Sequence, residues 1–242
     1  MNISDIQIPL ASSETSPAAL NGTLAIPEGD GPFPAVVMIH EVFGVDEVMR
    51  KQIERLASAG YLVLMPDLFS RGGARKCLTA TFRALTSGSG QAFNDIEAAR
   101  ELLLARPDCN GKIGVIGFCM GGGFALMLAN RGYDAAGINY GQLPKDLDAA
   151  LAGACPIIGS FGGSDKSLKG AAAKLENALT VAGIEHDVKE YPEAGHAFMN
   201  PTMAGPWWLQ PVLKRAVGVK SDPEASADAW SRIENFFGAQ LR

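Results

Sequence analysis

Gly117-Phe118-Cys119-Met120-Gly121, continued by Gly122 and Gly123, has the G-x-nucleophile-x-G form with cysteine at its centre. It follows an apolar strand-like run and opens an apolar helix-like one. Such a turn is sharp and strained, and it lifts the central side chain above the sheet. Its flanking positions must lack side chains because the helix folds back closely over the strand. The sulfur then sits at the positive end of a helix, which favours thiolate. A phosphate-binding turn is the rival chemistry. However, Gly114-x-x-Gly117 is not GxGxxG and no GK[ST] follows, so both nucleotide fingerprints fail. The bland reading of any cysteine is a buried structural residue. Cys77, Cys109 and Cys155 have no elbow setting and read as bystanders, Cys77 and Cys109 in connections and Cys155 at the start of a strand.

A nucleophile needs a base, and the base needs an orienting acid. The chain has three histidines, His40, His186 and His196, and the order nucleophile, acid, histidine leaves the last two. His186 lies inside a strand-like run between Glu185 and Asp187. His196 lies in Tyr191-Pro192-Glu193-Ala194-Gly195-His196-Ala197-Phe198, a loop past the C-terminal end of that run, on the side where the elbow projects. Asp165, in Phe161-Gly162-Gly163-Ser164-Asp165, follows the preceding strand and is the best orienter for His196, with partial capping of the next helix as its ordinary alternative.

These residues need a sheet to hold them. Buried strands are expected at Ala35–Ile39, Tyr61–Met65, Lys112–Ile116, Asp134–Tyr140, Pro156–Phe161 and Ile184–Tyr191. Helices are expected over Val45–Ala59, Gln91–Ala105, Gly122–Asn130, Leu168–Ala182 and Ala225–Phe237. Apolar strands separated by helices indicate an α/β fold with a mostly parallel sheet covered on both faces. Ile6–Leu10 and Leu20–Ile26 lack an intervening helix and are expected to pair antiparallel at the edge. Residues 200–222, with Pro201, Pro206, Pro211 and Trp207-Trp208, read as an irregular insertion.

Length and composition agree with one domain over residues 1–242: 47% hydrophobic and 19% charged residues make a globular chain. A net charge of −5 without a basic run disfavours nucleic acid. The longest apolar runs are strand-length and the N-terminus has no signal-like h-region, so neither a membrane span nor secretion is expected. Four scattered cysteines suit a reducing, cytoplasmic setting. The histidines have no ligand spacing, so no metal or other cofactor is implied.

His40-Glu41-Val42-Phe43-Gly44, Pro66-Asp67-Leu68-Phe69, Gly117-Phe118-Cys119-Met120-Gly121-Gly122, Phe161-Gly162-Gly163-Ser164-Asp165 and Ala194-Gly195-His196-Ala197-Phe198 together resemble the dienelactone hydrolases (carboxymethylenebutenolidases). The resemblance runs in order from about Leu20 to the end. It implies an α/β-hydrolase fold with a sheet of about eight strands and a triad of Cys119, Asp165 and His196. It further implies that Glu41 meets the resting thiol and takes its proton when substrate arrives, and that the backbone N–H groups of Val42 and Met120 form the oxyanion hole.

Arg71 matches a family arginine that binds the substrate carboxylate, and it could equally be a surface loop arginine. Tyr140 is placed to line the same pocket. The family's second carboxylate-binding arginine falls at Asn200, a departure that bears on the substrate and not on the chemistry. The expected activity is hydrolysis of a small lactone or ester by a monomer or weak homodimer. A broad esterase or thioesterase, with Phe198, Trp207 and Trp208 lining its pocket, is the alternative. A non-catalytic thiol sensor on the same fold is the reading from another class.

Overall fold

The computed structural model describes residues 1–10, 19–205 and 207–242. One eight-stranded sheet runs through them. Its strands are β1 (Asn2–Pro9), β2 (Ala19–Ile26), β3 (Phe33–Ile39), β4 (Leu62–Pro66), β5 (Cys109–Phe118), β6 (Ala135–Asn139), β7 (Ile157–Gly162) and β8 (His186–Tyr191), in the spatial order β1-β2-β4-β3-β5-β6-β7-β8. β1 and β2 pair antiparallel, as does β2 with β4, and every later pairing is parallel. This is the fold class the alternating apolar pattern predicts.

The helices are α1 (Glu47–Ser58), α2 (Ala74–Ser87), α3 (Gln91–Leu104), α4 (Met120–Leu128), α5 (Leu147–Leu151), α6 (Ala171–Ala182), α7 (Gln210–Ala216) and α8 (Pro223–Leu241). α1 starts where Asp46 Oδ1 accepts from Met49 N–H at 2.9 Å, and it buries Val48, Met49, Ile53 and Leu56. α8 starts with Pro223 in its first turn and Asp222 accepting from Ala225 N–H at 3.1 Å. It then seats Trp230 against Phe118.

Three of these helices were not expected. α2 carries threonines, which read poorly as helix formers. Here Thr81 and Thr86 back-bond to the carbonyls of Cys77 and Phe82 one turn earlier. α5 is barely more than one turn. α7 lies in the segment read as irregular, because its Pro211 sits at the second helical position, where the missing N–H has no intrahelical partner to lose. Cys77 and Cys109, expected in connections, lie instead in regular elements: Cys77 is in α2, and Cys109 opens β5 opposite Phe33.

The sheet order places the site. β4 lies on one side of β3 and β5 on the other, so the chain reverses direction across the sheet at β3. The crevice beyond such a switch point is where open α/β sheets bind ligands. The C-terminal ends of β3, β5, β6, β7 and β8 deliver Glu41, Cys119, Tyr140, Asp165 and His196 respectively. Among the described residues no helix is long and apolar enough to cross a membrane.

Candidate active site

Glycine makes the turn at Cys119 possible. A Cβ on Gly117 would collide with the Gly121 carbonyl, and one on Gly121 would collide with the Ile39 carbonyl. One on Gly122 would come within 2.7 Å of the Asn139 carbonyl oxygen. β5, α4 and their neighbours therefore cross at backbone contact, as the glycine run anticipates. Cys119 takes φ 54°, a conformation that L-residues rarely adopt. Tyr140 (φ 40°) and Ala197 (φ 57°) are the other non-glycine residues with positive φ among those described, and both lie at the same site.

The sulfur of Cys119 faces His196 Nε2 at 3.1 Å, and His196 Nδ1 donates to Asp165 Oδ2 at 2.6 Å. Asp165 is buried, and its other oxygen accepts from the Ser167 N–H (2.8 Å) and hydroxyl (2.6 Å). It does not cap α6, whose N-cap is Gly170. The imidazole loop is braced from behind by residues 218–222: His196 N–H donates to the Gly218 carbonyl, and Lys220 N–H donates to the His196 carbonyl.

Burial alone would discharge His196. Its hydrogen bonds to Asp165 and Cys119, with their charges, outweigh burial and raise the imidazole to about 10. Burial likewise pushes Asp165 up, but the His196 and Ser167 contacts prevail and hold it below the usual carboxylate range.

Glu41 is buried beside this row and turned to another partner. Both its carboxylate oxygens accept from Asn200 Nδ2, at 3.1 and 3.0 Å. Asn200 Oδ1 accepts from the Tyr140 hydroxyl at 3.3 Å. Burial drives the Glu41 carboxyl up to about 7 against the opposing Asn200 hydrogen bonds. Tyr140 joins the two clusters, with its ring edge-on to His196 at 5.4 Å and its hydroxyl on Asn200.

The remaining expected site residues lie apart from this row. Arg71 makes a two-pronged ion pair with the wholly buried Asp95, through Nη2 to Oδ1 at 2.7 Å and through Nη1 to Oδ2. Its fork is already engaged. Asn200 is 3% exposed, and its amide is occupied within the protein. Phe198 is fully buried against Tyr140 and Tyr191, whereas Trp207 and Trp208 are 82% and 63% exposed, so the three share no pocket lining. Among the described residues no cluster of three or more histidine, cysteine or acidic side chains is spaced to hold a metal ion.

Sequence reasoning gave no task to His40 or Gln52. His40 is completely buried. Its Nδ1 donates to the Glu41 carbonyl at 2.7 Å, and its Nε2 accepts from Leu68 N–H at 3.1 Å. Burial holds it below the usual imidazole range, so it is neutral with its proton on Nδ1. Gly44 N–H donates to the same Glu41 carbonyl at 3.0 Å. Because the peptide is planar, fixing that carbonyl also fixes the opposed Val42 N–H. The adjacency of His40 to Glu41 was the available signal. Gln52 had none, since its partners lie about 150 residues away.

The dienelactone hydrolase family model matches residues 20–241. Carboxymethylenebutenolidases of Pseudomonas putida and Pseudomonas knackmussii are each 32% identical over 195 residues, covering 76% of this chain and 83% of theirs. The crystal structure of a dienelactone hydrolase from Anabaena variabilis superposes with a TM-score of 0.72 at 22% identity. It covers 100% of this chain and 99% of that one, a likeness of fold. With the family matched over residues 20–241 and both carboxymethylenebutenolidases aligned over about three quarters of the chain, the chain belongs to the dienelactone hydrolase family and is a carboxylic-ester or lactone hydrolase.

Proposed function

We propose that this hydrolase cleaves a small lactone or ester through a thiol acyl-enzyme on Cys119. The observation that carries this is the row Cys119 Sγ–His196–Asp165, spaced 3.1 and 2.6 Å, with the sulfur lifted on a positive-φ turn. The Cys119 thiolate adds to the substrate carbonyl carbon. The oxyanion is received by the N–H of Met120, at the first helical position where no intrahelical acceptor exists, and by the N–H of Val42. The C–O bond then breaks, and the leaving oxygen takes its proton from His196.

Deacylation reverses these roles. Water gives a proton to His196 and its oxygen attacks the thioester; the C–S bond breaks and the acid departs. The sulfur's hydrogen bond and charge help to hold His196 at about 10, and both are lost on acylation. Acylation therefore lowers the imidazole's affinity for a proton, so that it is unprotonated and free to accept one at the step that needs a base.

The engaged state of Arg71 and Asn200 favours neutral esters over anionic lactones, because Asp95 already neutralises the Arg71 guanidinium and the Asn200 side chain is an uncharged amide occupied by Glu41 and Tyr140. Burst kinetics with p-nitrophenyl acetate, and mass spectrometry of the quenched enzyme, test the nucleophile. Cys119→Ala should lose the burst and at least ~10³ in kcat, whereas alanine at Cys77, Cys109 or Cys155 should retain both. Turnover that survives Cys119→Ala and fails in one of the others would overturn the assignment. Comparing neutral esters with dienelactones decides the substrate class.

A further inference from the structure

Gln52 of α1 is 3% exposed and reaches the loop after β8. Its Nε2 donates to the Met199 carbonyl at 3.0 Å and faces Asn200 Oδ1 at 3.5 Å. A backbone carbonyl can only accept, so the nitrogen end of Gln52 has to face it. The second hydrogen of that NH2 group then points to Asn200, which must present its oxygen. The Tyr140 hydroxyl donates to the same oxygen. Of the two ends of Asn200, the NH2 group is then the one turned to Glu41, and it is found there on both carboxylate oxygens, with the Tyr140 hydroxyl also close to that carboxyl. Donation thus runs in one direction from Gln52 through Asn200 to Glu41, with the Met199 carbonyl as its fixed reference. With Asn200 reversed, an amide oxygen would meet the carboxylate oxygens, an arrangement only a protonated Glu41 can satisfy.

We infer that Gln52 is a positioning residue of this hydrolase: by setting which end of Asn200 faces Glu41, it keeps that carboxyl an acceptor held on Asn200, leaving the Cys119 thiol to His196. The inference rests on Cys119 being the nucleophile. The groups around Glu41 are Asn200, the Tyr140 hydroxyl, His196 and the Asp46 carboxylate, with the neutral His40 on its backbone carbonyl. Cys119 acts on the neighbouring Tyr140. Burial places the Glu41 carboxyl near neutrality, at about 7, so a change in its donors alters its ionisation where the enzyme works. Gln52 also lines a crevice of about 630 Å³ between α1 and α8, with Arg55, Trp230, Met199 and Asn200, and neither Cys119, Glu41 nor His196 lines it. A substitution there leaves the reacting groups in place.

The test is Gln52→Met, of similar length and without a donor. The acid limb of kcat/KM and the inflection in Cys119 alkylation by iodoacetamide should both move up by about one pH unit, a tenfold change in ionisation. The same limb and inflection should be absent in Gln52→Met/Glu41→Gln. A uniform loss of rate with both profiles unmoved would overturn the inference, because that is what a merely structural role gives. Should Gln52→Met fail to fold, the wild-type protein decides. Its Asn200 side-chain NH2 resonances should titrate together with the Glu41 carboxyl, and a flat titration overturns the inference. Activity persisting in Cys119→Ala would defeat the functional reading separately, while the Asn200 resonances would still report on the Asn200–Glu41 contact that Gln52 orients.

Discussion

Glu41 rests both carboxylate oxygens on the side-chain nitrogen of Asn200, at 3.1 and 3.0 Å, while the Cys119 sulfur faces His196 at 3.1 Å. The two buried polar groups thus have separate partners, with Tyr140 touching both sets. A carboxyl held this way is costly when ionised, since an uncharged amide is its principal donor.

That cost makes stability depend on pH in a definite direction. Glu41 is raised from 4.5 to about 7 in the folded protein, so between those values the native state holds a proton the unfolded chain has released. Stability should fall as pH rises through that window, by up to about 3 kcal/mol. His196, raised from 6.5 to about 10, adds stability that is fully present below 6.5 and lost as pH rises toward 10. Asp165 acts oppositely: being held low, it contributes above the usual carboxylate range and loses that contribution in acid. Urea midpoints at about pH 5 and pH 7 should therefore differ in the wild type and differ much less in Glu41→Gln, where the smaller His196 contribution remains. An equal difference in both proteins would remove Glu41 as the cause.

Asn200→Arg bears on what this position recognises. A guanidinium here would meet the Glu41 carboxylate first and hold it ionised. We expect the acid limb of kcat/KM to move to lower pH, with the preference between neutral esters and anionic lactones changing less than about threefold, under 1 kcal/mol. A gain of tenfold or more for anionic lactones alone would show that position 200 reads the substrate carboxylate.

The sheet and the glycine elbow were legible because each rests on local pattern, and chain order was enough to pick out Cys119, Asp165 and His196, whose side chains lie in one row. Apolar runs mark the strands, and glycines mark the places where backbones must touch, as at Gly117, Gly121 and Gly122. The partners of polar side chains were much less legible. Arg71 and Asp95 are both ordinary residues in sequence, and only the packing of the loop after β4 against α3 joins them. Asn200 was read as a missing arginine, whereas its task depends on Gln52, 148 residues earlier. The exposure of Trp207 could not be read either, since a tryptophan pair in a proline-rich segment suits a pocket wall and a surface equally well.

The Arg71–Asp95 pair makes a prediction that separates binding from folding. Asp95 is 1% exposed and Arg71 about one fifth exposed, with Gln91 Nε2 also donating to Asp95 at 2.9 Å. Arg71→Met strands a buried carboxylate and should cost about 3 kcal/mol, the lower end of the range for broken buried pairs, because Arg71 stays partly hydrated. Arg71→Met/Asp95→Leu removes both charges and should regain most of that loss. If Arg71 has no part in holding substrate, the double variant should keep the wild-type KM for an anionic lactone as well as for a neutral ester. A KM that rises tenfold for the anionic substrate alone would return Arg71 to the binding site.

His40 offers the sharpest test of how backbone geometry serves the reaction. Its imidazole spans the end of β3 and the loop after β4, donating to the Glu41 carbonyl and accepting from Leu68 N–H. Phe69 packs edge-on at 4.9 Å and helps to fix the ring plane. His40→Ala would leave a buried carbonyl with one donor fewer and a buried N–H unpaired, besides opening a cavity, for a loss of about 2–5 kcal/mol. The Glu41–Val42 peptide would then be free to rock about its flanking bonds. In the proposed mechanism the Val42 N–H meets a charge that exists only in the transition state, so this loosening should appear in kcat and not in KM, by about 10- to 100-fold. The alkylation rate of Cys119 should change little, because the side-chain hydrogen bonds of Cys119, His196 and Asp165 run among themselves and to Ser167, and not to His40. His40→Gln, whose amide both donates and accepts, should recover part of kcat together with part of the stability. Stability lost with kcat intact would make His40 a core residue only and would release the Val42 N–H from the oxyanion role.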